Sequence, residues 1–402
     1  LRPILCIMGF FLTVFFFIYS LLHFYLFMRA KTALGFGPAV AIPLALFLAV
    51  MITTPIAIHL LENAGFGLLA RVTAYVGYTW LALLFLLFCT LLVTDVYRLS
   101  VHLAGLATGR RLSWLTLSPR SCFLLSLASA AAIGFYGWFE AGAVRVETIE
   151  IATSKIPVHA GPLRIVQISD VHLGLTVSGN RLKRIMHLVR EAHPDILVST
   201  GDLVDGSMDD QKETVELLQA VTPRYGKFAI TGNHEFYAGL GQALAFTNRA
   251  GFRVLRGEAV TVGDVINIVG VDDPSGPGYG SSITGEKAVL SSASKGKFTL
   301  FLKHRPVVDA ESAGLFDLQL SGHVHAGQIF PFRLITRLFY PFIAGLYHLR
   351  PGSALYVSRG SGTWGPPIRV LAPPEVTVIE LFRPPVDGNI CQKNVKRSFL
   401  VG

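Results

Sequence analysis

The chain has 402 residues, of which 51% are hydrophobic and 15% charged, and its mean hydropathy is +0.52. A soluble domain carries about 25% charged residues, so this composition excludes a wholly water-soluble chain and fits a membrane region beside one sizeable soluble domain. The formal net charge of +9 raises the question of a nucleic-acid surface, but Lys and Arg form no dense stripe interleaved with aromatics. Several instead flank apolar runs, where they would meet anionic lipid head groups, so membrane lipid is the expected partner and nucleic acid is not.

Four apolar runs fill the first third, at about residues 4–28, 38–60, 72–94 and 121–139. Each reaches or approaches the ~20 residues that cross a hydrocarbon core. The first exceeds the ~7–15-residue apolar stretch of a signal peptide and shows no small-residue cleavage site. Cys6, Cys89 and Cys122 lie in apolar runs and Cys391 in the tail, a spacing of neither a disulfide framework nor a zinc knuckle. Arg29 and Lys31 lie between runs one and two, and Arg98, Arg110, Arg111 and Arg120 between three and four. The loop between two and three offers only Arg71, beside Glu62. This bias puts the first and third loops in the cytoplasm and everything after about residue 140 outside, on a multi-pass protein of the inner membrane.

Beyond residue 144 the pattern changes. LRIVQISD (163–170), DILVSTGD (195–202) and KFAITGNHE (227–235) read as strands ending in polar residues. Between and after them, residues 180–195, 214–221 and 242–251 carry helical apolar stripes, the first on Leu182, Ile185, Met186 and Val189. VINIVGVDD, FTLFLKHRP and LQLSGHVH follow as shorter runs, with no helix pattern between the first two. In such α/β sheets ligands sit at the carboxyl ends of strands, so the polar endings converge on one place.

Those endings are Asp170-x-His172, Gly201-Asp202-x-x-Asp205, Gly232-Asn233-His234-Glu235, His304, and Gly322-His323-x-His325. Each alone is a common turn sequence. Five in succession, each after a β-like run, form a mixed oxygen and nitrogen donor set suited to borderline divalent metals such as Mn, Fe or Zn. The absence of Cys donors argues against a structural zinc.

Over roughly residues 162–382 these five blocks resemble the calcineurin-like metallophosphoesterases. The resemblance implies two metals above a β-sandwich flanked by helices. Asp170, His172, Asp202 and His325 would hold one ion and Asn233, His304 and His323 the other, with Asp202 bridging. His234 would be no ligand but the acid that protonates the leaving oxygen, oriented by Asp205. Two departures are visible: Gly206 stands where the protein phosphatases of this superfamily have Arg, and Glu235 replaces the commoner Asp. GHVHAGQIFPF and the later LYVSRGSGTWGPPIRVLAPPEVTVIEL look like the membrane-associated bacterial branch, with envelope phosphodiesterases and UDP-2,3-diacylglucosamine hydrolases as relatives.

The expected organisation is an all-α transmembrane bundle (1–143), a linker (144–161), an α/β metallophosphoesterase domain (162–384) and a basic tail (385–402). The expected activity is hydrolysis of a phosphodiester or pyrophosphate bond in a phosphorylated, lipid-linked or envelope substrate. A cytoplasmic-face hydrolase of the UDP-2,3-diacylglucosamine type and a non-catalytic membrane sensor or scaffold are the rivals. Asp272-Asp273-Pro274 with Ser275 to Gly278 reads as a turn-rich surface loop or a lid. The apolar segment 329–349, with Arg333, Arg337, Tyr340 and Tyr347, reads either as core or as a lipid-contacting surface.

Overall fold

The computed structural model describes residues 2–177, 179–206, 212–276, 285–350 and 352–384, without the side chains of residues 2–8, 10 and 11. The basic tail with Cys391, the Pro277-Gly278 end of the turn-rich loop and the Cys6 side chain lie outside the described residues. Four helices come first: α1 (Arg2–Leu34), α2 (Pro38–Asn63), α3 (Gly67–Thr108) and α4 (Pro119–Gly142). All four are long and apolar enough to cross a membrane. The 42 residues of α3 extend well past the expected run, and at 1.5 Å per residue the helix is roughly twice as long as a ~30 Å hydrocarbon core. Small residues let the helices approach. A side chain on Gly77 of α3 would meet Thr54 of α2 at 2.8 Å, and one on Gly134 of α4 would meet Leu83 of α3 at 2.7 Å.

The second region stacks two six-stranded sheets. Sheet one runs β1 (Arg145–Ala152), β12 (Glu375–Phe382), β2 (Leu163–Ile168), β3 (Ile196–Ser199), β4 (Lys227–Ala229), β5 (Arg253–Val254). Sheet two runs β10 (Gly345–His348), β11 (Ala354–Val357), β9 (Leu318–Ser321), β8 (Phe298–Leu302), β7 (Ile266–Gly270), β6 (Glu258–Val262). Strand alternation builds two cores at once. Leu163, Ile165, Ile196 and Val198 point into the sandwich, against Ile268, Leu300 and Leu320 of sheet two. Their neighbours Val166, Ile168 and Leu197 point the other way, onto the helices α5 (Gly179–Glu191), α6 (Lys212–Gln219) and α8 (Leu240–Arg249). The predicted stripe Leu182, Ile185, Met186 and Val189 is wholly buried there.

Three expectations are corrected. The linker is not one: β1 pairs in parallel with β12 over its full length, adding residues 145–152 to the edge of sheet one. The strand in KFAITGNHE stops at Ala229, and α7 (Asn233–Tyr237) begins where the polar residues do. Between β7 and β8 lies a short helix, α9 (Glu286–Ser291), whose Val289 and Leu290 pack on the outer face of sheet two. The two strands are parallel, so the chain must cross over between them; six residues are too few to show a stripe.

The helices and sheets are joined by direct backbone contact. Arg369 N–H donates to Gly137 O of α4 at 2.9 Å, and Ala372 N–H to the buried Glu140 carboxylate at 3.4 Å. Gly137 has no room for a side chain, since a Cβ would stand 2.9 Å from Arg369 O. Replacing Gly137 by Val should overpack this seam and destabilise the full chain by about 1–3 kcal/mol. An unchanged melting temperature in detergent would contradict the contact.

Candidate metal centre

Each predicted donor and acid residue stands just beyond the carboxyl end of a strand. Asp170 and His172 follow β2, Asp202 and Asp205 follow β3, and Asn233 and His234 follow β4. His304 follows β8, while His323 and His325 follow β9. β2, β3 and β4 are parallel neighbours in sheet one and β8 and β9 in sheet two, so five strand ends open on one rim.

The backbone there is held in an unfavourable region. Asp170, His172, Asp202, His323 and His325 have φ between 48° and 72°, the left-handed region that costs a non-glycine residue roughly 1–3 kcal/mol. Two glycines show why the motifs read as they do. A Cβ on Gly232 would lie 2.1 Å from Asp202 Oδ1, and one on Gly322 would lie 2.1 Å from Asp170 Oδ2. Each glycine lets one motif's backbone pass against another motif's carboxylate.

The side chains form three groups: Asp170, His172 and His325; Asp202, His304 and His323; and His172, Asp205 and His234. In the first, His172 Nε2 and His325 Nε2 stand 3.1 Å apart, with Asp170 Oδ1 3.5 Å from His325 Nε2. In the second, His304 Nε2 is 3.2 Å from His323 Nδ1 and 3.1 Å from Asp202 Oδ2. Asp202 Oδ2 also lies 3.8 Å from His172 Nε2, between the two groups. Two imidazole nitrogens in contact can share one proton, whereas a divalent cation accepts both lone pairs. His304 Nδ1 faces Thr200 O at 2.8 Å, which places an N–H there and turns Nε2 toward Asp202 and His323. Asn233 Oδ1 is buried with no hydrogen-bond donor among the described residues, an omission worth about 1–3 kcal/mol that a cation would repair. The donor set therefore fits a pair of divalent cations.

The electrostatics are polarised. Burial opposes a charge on His304, but the Asp202 carboxylate outweighs it and pushes the pKa up to about 10. Burial, with the charge on His304, pushes His323 down to about 3. Burial also opposes a charge on His234, yet Asp202 and Asp205 push it up to about 9. His234 Nδ1 is hydrogen-bonded to Asp205, whose other oxygen is 3.7 Å from His172 Nδ1. Solvent reaches 13% of the His234 side chain but at most 1% of His172 and His304, so among these three it is His234 that an incoming molecule can meet.

Four supporting features have roles that the sequence does not show. Glu235, read there only as a departure, accepts N–H bonds from Gly232, Asp202, Leu203 and Val204 and so ties the third motif to the second. Arg369 is fully buried and donates to Gly362, Arg359 and Ala372 carbonyls and to His325 Nδ1 at 3.0 Å. Tyr340 faces inward, its hydroxyl 2.9 Å from His323 Nε2, rather than outward to head groups. Asp272 and Asp273 are no surface loop or lid. Asp273 is 1% exposed and takes a two-pronged bond from Arg305, next to His304, while Arg256 grips Asp272. A charged residue inside an apolar run, as in PPIRVLA, was the available signal for Arg369.

The calcineurin-like phosphoesterase family model matches residues 163–327. Over 254 residues the chain is 41% identical to an uncharacterized metallophosphoesterase of Aquifex aeolicus, covering 63% of this chain and 97% of that one. A Campylobacter jejuni protein, also an uncharacterized metallophosphoesterase, is 31% identical over 78% of this chain and 85% of its own. A Danio rerio transmembrane protein with metallophosphoesterase domain is 34% identical over 64% of this chain and 62% of its own. The chain belongs to the calcineurin-like metallophosphoesterases, and so to the metal-dependent phosphoester hydrolases, a family that implies a site for two divalent metal ions.

Because Asp202 stands between both groups, Asp202→Asn should lose both ions, whereas Asn233→Ala should weaken only one. Elemental analysis of the purified variants checks this. Two full equivalents in Asp202→Asn would overturn the bridging role.

Proposed function

We propose that the protein hydrolyses a phosphodiester or pyrophosphate bond in a lipid-linked or envelope substrate. Asp170, His172, Asp202 and His325 would hold one divalent ion and Asn233, His304 and His323 the other, with Asp202 shared. Mn, Fe or Zn suit this oxygen and nitrogen set. When bound, such a pair supplies charge stabilisation for the phosphoryl group and a nucleophile at neutral pH.

The observation that carries the reading is the Asp205–His234 pair beside the two donor groups. Asp205 occupies Nδ1, so the other ring nitrogen is the one free to meet substrate. Of the two carboxylates that favour its protonation, Asp205 stays outside the two proposed ion sites and can hold on His234 the proton that a leaving oxygen requires. Asp205 fixes the tautomer and favours the imidazolium. A scaffold role is disfavoured because all seven donor positions are filled by competent side chains.

The helices support a membrane-borne substrate. Tyr75 of α3 donates to Thr176 O at 2.8 Å, and a side chain on Gly206, next to Asp205, would meet Glu62 of α2. A side chain on Gly365, next to Trp364, would touch Tyr78. Trp364 in turn packs edge-on against His234, ring centroids 5.9 Å apart. The wall of the site on this side is the bundle itself, which supports a substrate presented at the membrane. Loop charges favour the extracytoplasmic face of the inner membrane over the cytoplasmic, UDP-2,3-diacylglucosamine type of reaction.

Two measurements test this. His234→Ala should keep its metal yet lose roughly 10²–10⁴ in rate on alkyl esters, with a smaller loss on a nitrophenyl ester that needs little protonation. An equal loss on both would remove His234 from the acid role. Reporter fusions after residue 140 should give alkaline phosphatase activity and no green fluorescence, and the opposite pattern would favour the cytoplasmic reaction.

A further inference from the structure

The helix α10 (Phe332–Phe339) is built inside out for a protein in water. At 3.6 residues per turn, Phe332, Leu334, Ile335, Leu338 and Phe339 share about 160° of its circumference, and Arg333, Thr336 and Arg337 occupy the rest. A helix on a soluble domain turns its apolar arc inward. Here Leu338 is 81% exposed, Phe339 74% and Leu334 58%, while Arg333 and Thr336 are half-buried. The polar side is held down tightly, because a Cβ on Gly327 would stand 2.4 Å from Arg333 Cα. α10 is thus pinned by its polar face to the turn that carries His325, and cannot roll its apolar face under.

That face continues the apolar surface of the helices. Ile329, just before α10, belongs to the same buried cluster as Leu84, Leu86 and Leu87 of α3, together with Ile368 and Val370. Phe332 meets Phe85 of α3 edge-on, ring centroids 6.0 Å apart. Phe330, 43% exposed, adds to the apolar surface just before α10. The segment then changes character. Tyr340, Phe342 and Tyr347 pack on Val324, Leu355 and Val357, so only the first half of the apolar segment 329–349 faces outward.

We propose that the apolar face of α10 is embedded in the lipid leaflet beside the bundle, as an interfacial helix that seats the metal centre on the membrane surface. Continuity with α3 selects lipid as the occupant, and the exposed Arg337 is placed to reach anionic head groups from the polar side. The residue after α10, Tyr340, bonds His323, so the leaflet and the donor set are one residue and one hydrogen bond apart. A lipid phosphate moving laterally in the leaflet would then pass the site without leaving the membrane. This inference rests on the reading that the four helices span a bilayer.

The test uses the full chain, with its four cysteines replaced, in vesicles of phosphatidylethanolamine and phosphatidylglycerol. Nitroxide labels go on Leu338→Cys, Phe339→Cys, Val93→Cys in α3 and Val158→Cys far from the bundle, and each variant must still hydrolyse bis(p-nitrophenyl) phosphate. Labels at 338 and 339 should collide with oxygen severalfold more than with an aqueous nickel chelate, matching 93 and opposite to 158. If 93 reads lipid while 338 and 339 read water, the inference falls and the membrane reading stands. If 93 itself reads water, both fall. Labels at 338 and 339 shielded from both reagents would mark a protein contact and also overturn it. Should the cysteine-free chain not fold, Leu338→Trp in the native background must show added fluorescence quenching by brominated lipid, and its absence overturns the inference equally.

Discussion

Two carboxylates shut away from water, Asp170 and Asp202, are the constraint around which the domain is arranged. Burial raises the pKa of Asp170, whereas the surrounding imidazoles, His304 foremost, hold that of Asp202 well below the usual carboxylate range despite its burial. A buried charge without a partner is among the most expensive features a fold can carry. The histidines at the ends of β2, β8 and β9 are therefore as much a condition of folding as of chemistry. Residues drawn from both sheets must meet at one rim, and that requirement sets which strands are parallel neighbours.

The same constraint explains how much could be read in advance. Asp170, His172, Asp202, Asp205, Asn233, His234, His304, His323 and His325 were legible because each is a polar residue at the end of an apolar run, next to glycine in three of the motifs. Those glycines are the written trace of close approach between motifs. The alternating runs in β2 and β3 and the stripe of α5 were legible for the ordinary reason that one face is buried. What escaped is non-local. Nothing in RVETIEIA says that it will pair with a strand more than two hundred residues later, and its exposed edge blurs the alternation. Glu235 reads as a substitution until its carboxylate is seen capping the N–H groups of the second motif. Arg369 is one charge inside an apolar run until five carbonyl and imidazole contacts close around it.

Arg369 also shows that the helical and sheet regions are not independent parts. Its backbone N–H bonds α4 and its guanidinium bonds His325, so one residue touches both a long apolar helix and the metal centre. The seam is as close as a helix and a chain can come, because Gly137 removes the side chain that would keep them apart. A linker that is really an edge strand adds to the same stiffness: β1 leaves α4 and enters the sheet within three residues. The domain is held in a fixed attitude to the helices and cannot swing away from them.

A fixed attitude gives the exposed face of α10 its meaning. Periodicity identifies an amphipathic helix but not the direction in which it points, so FRLITRLF has the same pattern whether it covers a core or stands outside one. Direction comes from the neighbours: Gly327 fixes the polar face inward, Phe85 and Ile329 join the other face to the bundle, and β1 with the Arg369 seam keeps the whole from tilting. A free helix with this pattern would fold over and hide its Leu and Phe side chains. This one is prevented from doing so by the turn that places two histidines at the metal centre. The geometry that assembles the donor set is thereby the geometry that keeps an apolar surface exposed, and the two features stand or fall together.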